Sequence, residues 1–358
     1  MEEAISSAIS LEKQATGLNP ILRALLEGVY DDCSPLSSLR GTPHITRNIW
    51  MHLTEYWKSF IKLSQNKSSK VWPPTPPNMT PGSEEYVPME KFVMEGKEIV
   101  FPPSSNININ MMPFILETHF EKCRLPENMR SYHKNLILPM LYGFVGLDKE
   151  IGKVCYLTIH ESYVESNQTQ RRPGLHTDNP GKIMMEKFDG FSSTNKRFKS
   201  LEGNGSPFVR FYEHHWGIGV NIRRDYAEGG IYMASNVENS CAVWNAKIEC
   251  DSKNDDAEII GKHGDIEHLR HCIGKEEIMK PNRIYWITDR TPHESLPMTK
   301  DTFRQYFRLV THQVSLWFED HSTKNPLGLS PDSAFTKIVK GSKFGNDLKI
   351  VPHYKYIS

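Results

Sequence analysis

Phe303-Arg-Gln-Tyr-Phe-Arg-Leu-Val310 is the stretch of sequence that decides the fold class. Its aromatic and β-branched residues favour a β-strand. Because successive side chains of a strand point to opposite faces, Arg304, Tyr306, Arg308 and Val310 are predicted to share one face. A guanidinium on that face can bind a carboxylate through two parallel hydrogen bonds.

Several shorter stretches upstream have the same strand-like character. They are residues 154–160, 208–212, 217–222, 230–234, 240–245 and 283–288. Many short strands separated by Gly, Asn and Asp indicate an antiparallel sandwich or barrel. Two sheets of such strands can form a jelly roll. The predicted fold is therefore mainly β with flanking helices, of the α+β class, around a jelly-roll core.

The chain is predicted to have three parts. Residues 1–150 contain apolar residues at helical spacing, both before residue 64 and again in 112–142, and are predicted to form a helical region that packs on the core. Residues 151–322 contain most of the predicted strands and form the β core. Residues 323–358 are rich in Lys and Ser and are predicted to be a partly ordered tail.

Two polar inserts interrupt the β core. Residues 181–207 are rich in Lys, Ser, Asn and Gly, and residues 250–275 are charged. Each is either a lid over a binding site or a surface loop. The sequence leaves open which insert forms a lid, and the surface-loop interpretation is preferred for the second.

Three residues with the chemistry of metal ligands lie in two short motifs. His176 and Asp178 belong to Gly174-Leu-His-Thr-Asp-Asn-Pro180, and His293 belongs to Thr291-Pro-His-Glu-Ser-Leu-Pro297. On a strand, residues i and i+2 point the same way, so His176 and Asp178 can reach one metal ion. Two neutral imidazoles and one carboxylate hold non-haem Fe(II) and leave one face of the metal open.

This pattern resembles that of the Fe(II)/2-oxoglutarate-dependent oxygenases over roughly residues 150–320. In that family a His-x-Asp…His triad binds the iron, and an Arg or Lys a short way past the distal histidine binds the far carboxylate of 2-oxoglutarate. Arg304 follows His293 by 11 residues and matches that position, whereas Arg308 follows by 15 and does not. The resemblance implies a double-stranded β-helix with the metal at its open end.

The resemblance also implies an oxidoreductase with Fe(II) as its cofactor and 2-oxoglutarate and dioxygen as cosubstrates. His176, Asp178 and His293 would be the catalytic metal ligands, and Arg304 would bind the cosubstrate. The reaction would begin with abstraction of a hydrogen atom and end in hydroxylation, desaturation or oxidative ring closure. The protein would position and shield the reactants, while the cofactor carries the chemistry.

Further arginines indicate an anionic substrate. Arg308 is predicted to bind a second carboxylate or sulfonate, as a second arginine does in enzymes similar to taurine dioxygenase; the alternative is an arginine that is ion-paired inside the barrel. Arg171 and Arg172 precede the triad, and Trp216 is either a pocket residue or part of the core. The predicted substrate is a small carboxylate-bearing metabolite derived from an amino acid, with Arg308, Arg172 and Trp216 as substrate-binding residues.

Residues 229–237 and 286–297 resemble stretches in 2-oxoglutarate oxygenases of algae and other microbial eukaryotes. Some of these enzymes, the kainoid synthases, close a pyrrolidine ring on an N-prenylated glutamate. That substrate carries several carboxylates, which would suit the additional arginines. The resemblance implies a role in secondary metabolite biosynthesis, and no motif separates such a cyclase from a hydroxylase.

Composition excludes several other classes of protein. The chain has 358 residues, with 43 Lys plus Arg and 43 Asp plus Glu, and this balance argues against nucleic-acid binding. The best apolar stretch, 135–145, is too short to cross a membrane. The N-terminus lacks the basic segment of a secretory signal and the six cysteines are scattered, so a cytoplasmic location with reduced thiols is expected.

Three alternatives stay open at the level of sequence. A protein or peptide hydroxylase of the same fold would need an extended groove. A jelly-roll binding module would carry the triad by coincidence, since 15 histidines and 43 acidic residues produce some His-x-Asp pairs by chance. A metal-dependent isomerase or hydrolase would turn over without oxygen. The sequence does not determine the oligomeric state.

Overall fold

The computed structural model describes residues 58, 61–63, 91–179, 182–188, 208–213, 215–223, 226–249, 260–341, 343 and 349–351. Most of the helical region predicted before residue 64 lies outside these residues, and the prediction is wrong at its end, where residues 61–63 form a strand. Most of the first polar insert, residues 189–207, and the first part of the second, residues 250–259, also lie outside them.

The described residues form short helices and many strands, as the sequence predicts for a mainly β protein. The strands are β1 (Ile61–Leu63), β2 (Val93–Glu98), β3 (Asn108–Ile115), β4 (Val154–Val164), β5 (Lys182–Phe188), β6 (Phe208–Glu213), β7 (Val220–Arg223), β8 (Tyr226–Glu228), β9 (Ile231–Ser235), β10 (Cys241–Val243), β11 (Ala246–Ile248), β12 (Glu277–Ile278), β13 (Arg283–Ile287), β14 (His293–Ser295), β15 (Thr302–Val310), β16 (Leu316–Phe318), β17 (Lys337–Lys340) and β18 (Lys349–Val351). The helices are α1 (Arg130–Tyr132) and α2 (Leu138–Gly143), joined by a π-helical turn (His133–Ile137), with 3-10 turns at Phe120–Lys122, Glu127–Met129, Leu147–Glu150, Lys262–Gly264, Glu267–Leu269 and Glu319–His321.

Six strands form one antiparallel sheet in the order β2-β13-β9-β15-β4-β3. β15 lies inside the sheet and pairs with β4 along its whole length, from Thr302 opposite Val164 to Val310 opposite Tyr156. β2 and β3 belong to this sheet although they precede residue 151. The helix predicted for residues 112–142 is therefore wrong at its start, where β3 continues to residue 115, and helical structure begins only later.

Alternate side chains of β15 belong to different apolar layers. Phe307 is part of a buried cluster that includes residues of α1 and α2, on one face of the sheet. Tyr306 and Val310 are part of a second cluster, which includes residues of β10, β16 and β17. Arg304 and Arg308 share the parity of this second face and are 0% and 4% exposed. The predicted common face of β15 is thus confirmed, and it is turned toward the protein interior.

A second, three-stranded antiparallel sheet has the order β12-β10-β14. β10 contributes Cys241 and Val243 to the cluster that contains Tyr306 and Val310 of β15. The inner face of the six-stranded sheet therefore packs on this smaller sheet. His293, the first residue of β14, also forms an isolated antiparallel bridge with His176. This bridge places His176 beside β14, on the side away from β10.

The chain after residue 323 contributes to the core. β17 pairs in parallel with β16, and Ile338 and Val339 are buried in the cluster on the inner face of the main sheet. The hydroxyl groups of Tyr156 and Thr336 lie 2.7 Å apart and link this segment to β4. The predicted partly ordered tail is therefore wrong for residues 323–341.

The polar inserts also contain ordered structure. β5, at the start of the first insert, pairs with β6. In the second insert, Ile260, Ile266 and Leu269 are buried together, so the surface-loop interpretation is wrong for this part of it.

Two observations concern the cysteines and the possible membrane spans. Cys123, Cys155, Cys241 and Cys272 are buried, and the reduced state of the thiols stays a prediction. Among the described residues, no helix combines the length and the apolar character needed to cross a membrane.

A buried carboxylate connects β4 to the segment before β3 and to α1. Glu161 accepts hydrogen bonds at Oε2 from the amides of Ser105 (2.9 Å) and Ile107 (2.7 Å). Its Oε1 accepts hydrogen bonds from Tyr132 Oη (2.6 Å) and Gln305 Nε2 (2.9 Å). Burial raises the pKa of Glu161, but these hydrogen bonds outweigh burial and leave the pKa below its ordinary value.

Glu161→Gln is expected to lower the free energy of unfolding by about 2–4 kcal/mol, because it removes the charge and leaves a buried donor without an acceptor. Urea unfolding at neutral pH measures this change. Glu165→Gln, at an exposed site just past β4, is the matched control and should shift the stability by less than about 0.5 kcal/mol. Equal losses in the two variants would contradict the role given to Glu161.

The stability difference between wild type and Glu161→Gln should depend on pH. The folded-state pKa of Glu161 lies below 4.5, so its charge stabilises the fold above that pH, and the contribution is lost as pH falls through the folded-state pKa. The difference should be largest near neutral pH and should shrink in acid. A difference that grew below pH 4.5 would have the wrong sign.

Candidate functional site

His176 and His293 are direct cross-strand neighbours, although 117 residues separate them in the sequence. Each amide donates to the carbonyl of the other residue, and both N–O distances are 3.0 Å. Side chains of a directly opposed antiparallel pair lie on the same face. The two imidazole rings accordingly lie with their centroids 4.5 Å apart.

Asp178 lies next to this pair of histidines. Its Oδ2 is 3.7 Å from His293 Nε2, and its Oδ1 accepts a hydrogen bond of 3.0 Å from Arg308 Nη1. The flanking amides of Thr177 and Asn179 donate to main-chain carbonyls of other segments, which fixes the path of the chain around Asp178. The structure therefore brings the three predicted metal ligands together.

Main-chain carbonyls orient both imidazoles. His176 Nδ1 is 2.7 Å from Gly174 O, and His293 Nδ1 is 2.9 Å from Thr291 O. A carbonyl only accepts hydrogen bonds, so the proton of each neutral ring is assigned to Nδ1, and each Nε2 keeps a lone pair. Burial lowers the pKa of both histidines, which favours these neutral forms.

Asp178 is buried and ionised. Burial raises its pKa, but Arg308, followed by His293 and Lys343, holds the pKa well below its usual range. Among the described residues, Asp178 Oδ2 has no hydrogen-bond partner. A buried carboxylate oxygen without a donor is costly unless a cation binds it, so this atom is suited to contact one.

The three predicted ligands match a metal ion in the type of their donor atoms, but not in their geometry. As the side chains lie, no group of three or more His, Cys, Asp or Glu residues in the described part of the chain is arranged to hold a metal ion. The three donors are nevertheless the correct kind, namely two neutral imidazole nitrogens and one carboxylate oxygen without a partner. His176 is half-buried, whereas Asp178 and His293 are buried, so the ring of His176 has the most freedom to adjust.

Arg304 is fully buried and binds neutral partners. Its Nε donates to Ser235 Oγ (3.2 Å), its Nη1 to Ser295 Oγ (3.1 Å) and its Nη2 to Cys241 Sγ (3.0 Å). Within the described residues Arg304 forms no ion pair with a carboxylate, and two of its five N–H groups remain for another acceptor. A permanently charged guanidinium in this environment is suited to bind an anion.

The three predicted metal ligands line one cleft with a cavity volume of about 60 Å³. Its lining includes the three predicted metal ligands, the predicted substrate residues Arg308, Arg172 and Trp216, and also Asn110, Arg171, Met233, Cys241, Ala242, Glu294, Ser295, Tyr306, His321 and Lys343. Arg304 lies directly behind this wall, because its partners Cys241 and Ser295 are lining residues.

The predicted substrate residues make contacts within the protein. Arg308 is ion-paired with Asp178, and its Cζ lies 5.3 Å from the ring centroid of Trp216. Trp216 is buried and donates from Nε1 to Leu316 O (3.0 Å). Arg172 Nη1 donates to His263 O (2.6 Å). All three line the cleft, and their binding of substrate stays a prediction.

Lys343 is the functional candidate that the sequence did not indicate. It is 7% exposed, donates from Nζ to Asp178 O at 3.3 Å, and lies 4.2 Å from the ring centroid of Trp216. It lies in the Lys- and Ser-rich segment that the sequence predicts to be a partly ordered tail. The apolar pair Ile338-Val339 was the available sign that this segment enters the core.

Comparisons with protein-family models, curated proteins and solved structures find no match for this chain. The chemistry of the site is therefore inferred from its residues. Two neutral imidazoles and an ionised carboxylate, at the wall of a cleft rich in arginine and lysine, can bind a divalent cation together with anionic ligands.

Proposed function

We propose that this protein is an Fe(II)/2-oxoglutarate-dependent oxygenase that acts on a small anionic metabolite. The observation that carries the proposal is the reciprocal bridge between His176 and His293, with Asp178 Oδ2 beside His293 Nε2. Two histidines and one carboxylate are the ligand set of non-haem Fe(II) oxygenases. When bound, Fe(II) with 2-oxoglutarate and dioxygen supplies the oxidising chemistry that removes a hydrogen atom from the substrate.

The order of the strands supports a jelly-roll, or double-stranded β-helix, core. β4, β15, β9 and β13 are successive neighbours in the main sheet, and β14, β10 and β12 are successive neighbours in the small one. Along the chain, β9 and β13 of the main sheet alternate with β10, β12 and β14 of the small sheet before β15 returns to the main sheet. Two facing antiparallel sheets connected in this way are expected of a jelly roll.

The residues of the chain have distinct roles in this proposal. His176 Nε2, His293 Nε2 and Asp178 Oδ2 would hold the metal. Arg308 would keep Asp178 in place through Oδ1, which leaves Oδ2 directed elsewhere. Arg304 would bind the far carboxylate of 2-oxoglutarate, since its buried charge has no carboxylate partner among the described residues.

The charge of the cleft supports an anionic substrate. Arg171, Arg172, Arg308 and Lys343 all line it. Fixed cations at the wall of a narrow cleft attract anions and hold them without rearrangement. Hydroxylation, desaturation and ring closure of the kainoid type are all compatible with such a substrate, and a cytoplasmic location stays a prediction.

Anaerobic titration with Fe(II) and 2-oxoglutarate tests the proposed cofactors. We expect a weak charge-transfer band in the visible region for the wild type and no such band for Asp178→Ala, because that variant lacks the carboxylate ligand. Asp148→Ala, at an exposed position, is the matched control and should keep the band. If metal binds but no band forms, the 2-oxoglutarate assignment is wrong; if no saturable Fe(II) binding occurs, the protein is better explained as a jelly-roll binding module.

The affinity for 2-oxoglutarate should separate the roles of two neighbouring arginines. Arg304→Leu is expected to raise the dissociation constant for 2-oxoglutarate by about 10- to 100-fold, since a charge-assisted pair is lost. Arg308→Leu should weaken metal binding more than cosubstrate binding, because Arg308 contacts Asp178. The dissociation constant for 2-oxoglutarate comes from titration of the metal-loaded protein, and that for the metal comes from titration of the metal-free protein.

Arg304→Lys keeps the charge but loses the forked geometry, and should have an intermediate effect on 2-oxoglutarate affinity. The unfolding midpoint shows whether Arg304→Leu is folded. If it is not, Arg304→Lys still tests the role of Arg304. A larger effect on 2-oxoglutarate at Arg308 than at Arg304 would mean that the two roles are exchanged.

A further inference from the structure

Among the described residues, the cleft contains few carboxylates to balance its cations. Asp178 and Glu294 are the acidic residues in this described part of its lining. Asp178 Oδ1 is already bound by Arg308 at 3.0 Å. Glu294 is bound by Arg270, at 2.9 Å from Nη1 and 2.7 Å from Nη2, and Arg270 is not a lining residue. Asp178 Oδ2, which has no hydrogen-bond partner among the described residues, is the atom assigned to the metal. Once the metal is bound, neither carboxylate is available to the remaining cations.

Arg171 is one cation of the lining that has no carboxylate partner among the described residues. Its Nη1 lies 3.3 Å from His160 Nδ1, and its Cζ lies 5.4 Å from the ring centroid of Tyr306. Burial, followed by the charge of Arg308, lowers the pKa of Arg171 to about 10. The Arg171 guanidinium thus stays charged at neutral pH, in a place where like charges surround it.

Lys343 is a second such cation. Its contacts are the main-chain carbonyl of Asp178 and the ring of Trp216, and it forms no ion pair with a carboxylate side chain in the described part of the chain. Burial lowers the pKa of Lys343 to about 8; the charge of Asp178 opposes this shift, whereas Arg308, Arg172 and Arg171 act in the same direction as burial. The charges of Lys343 and Arg171 therefore act on the same enclosed space.

We propose that the substrate is a small diacid, with one acidic group bound by Arg171 beside Tyr306 and the other bound by Lys343 above Trp216. This inference rests on the proposed function, which assigns Arg304 to the cosubstrate. The two cations lie against different aromatic rings, which favours two separate subsites over a single clamp. Arg308, the arginine that the sequence indicated for this role, is instead occupied by Asp178.

Charge held away from bulk water is the physical reason for two acidic groups, since Lys343 is buried and Arg171 is half-buried. A cation that is removed from water without a counter-charge destabilises the folded protein, and an anion that binds there relieves the cost. A ligand with one acidic group would leave either Arg171 or Lys343 uncompensated. A diacid should therefore bind more tightly than a ligand of the same shape in which one carboxylate is an amide.

Calorimetric titration of the full chain tests this preference. The protein is loaded anaerobically with Mn(II) and N-oxalylglycine, an analogue that fills the 2-oxoglutarate position. The probes are succinate, glutarate and N-acetylglutamate, each paired with its half-amide. We expect at least one diacid to bind about tenfold or more tightly than its half-amide, and Arg171→Gln and Lys343→Gln each to weaken that diacid by about 10- to 100-fold.

Arg130→Gln and Lys280→Gln are the matched controls, because both side chains are exposed ion-pair partners on the surface, and they should keep the preference for the diacid. The proposal is overturned if no diacid binds better than its half-amide. It is also overturned if the preference survives both Arg171→Gln and Lys343→Gln in folded protein.

Binding of Mn(II) and N-oxalylglycine is measured first, so that failure of the proposed function is seen separately. If that complex does not form, the same titrations are carried out on the unloaded protein with Arg304→Gln as an added variant. Loss of diacid binding in Arg171→Gln and Lys343→Gln, but not in Arg304→Gln, would support the two subsites on their own. Loss in Arg304→Gln alone would overturn them.

Discussion

The paired main-chain hydrogen bonds between His176 and His293 are the constraint on which the candidate site depends. They place two side chains from distant parts of the sequence on one face. The register of β14 against β10, in which His293 lies opposite Val243, fixes this pairing. A slip of one residue would turn the imidazole of His293 to the other face of the sheet, so the fold and the site are specified by the same strand pairing.

The ion pair between Asp178 and Arg308 connects the edge of the small sheet, where His176 lies beside β14, to the main sheet. Asp178 follows His176 closely, whereas Arg308 lies within β15. The pair keeps the carboxylate ionised despite burial, and it uses one carboxylate oxygen, while the other has no hydrogen-bond partner in the described part of the chain. The same strand carries Arg304, so β15 supplies both the cation that positions a predicted metal ligand and the cation proposed to bind the cosubstrate.

Local sequence predicted β15 correctly, because its aromatic and β-branched residues favour a strand, and the opposite orientation of successive side chains then placed Arg304 and Arg308 on one face. It failed for β3, whose apolar residues are buried on both faces of the strand and therefore lack a period that separates strand from helix. The spacing of His176, Asp178 and His293 predicted that they would meet, but it did not predict that Arg308 would pair with Asp178. The role of Lys343 was not predictable either, because burial of a lysine in a polar segment is decided by the packing of β17 on the core.

X-ray absorption spectroscopy of the Fe(II)-loaded protein under anaerobic conditions tests the central claim most directly. The account predicts a coordination shell of nitrogen and oxygen with outer-shell scattering from two imidazoles, reduced to one imidazole in His293→Ala. A spectrum without imidazole scattering, or one that is the same in wild type and His293→Ala, would contradict the assignment of His176, Asp178 and His293 as an iron site.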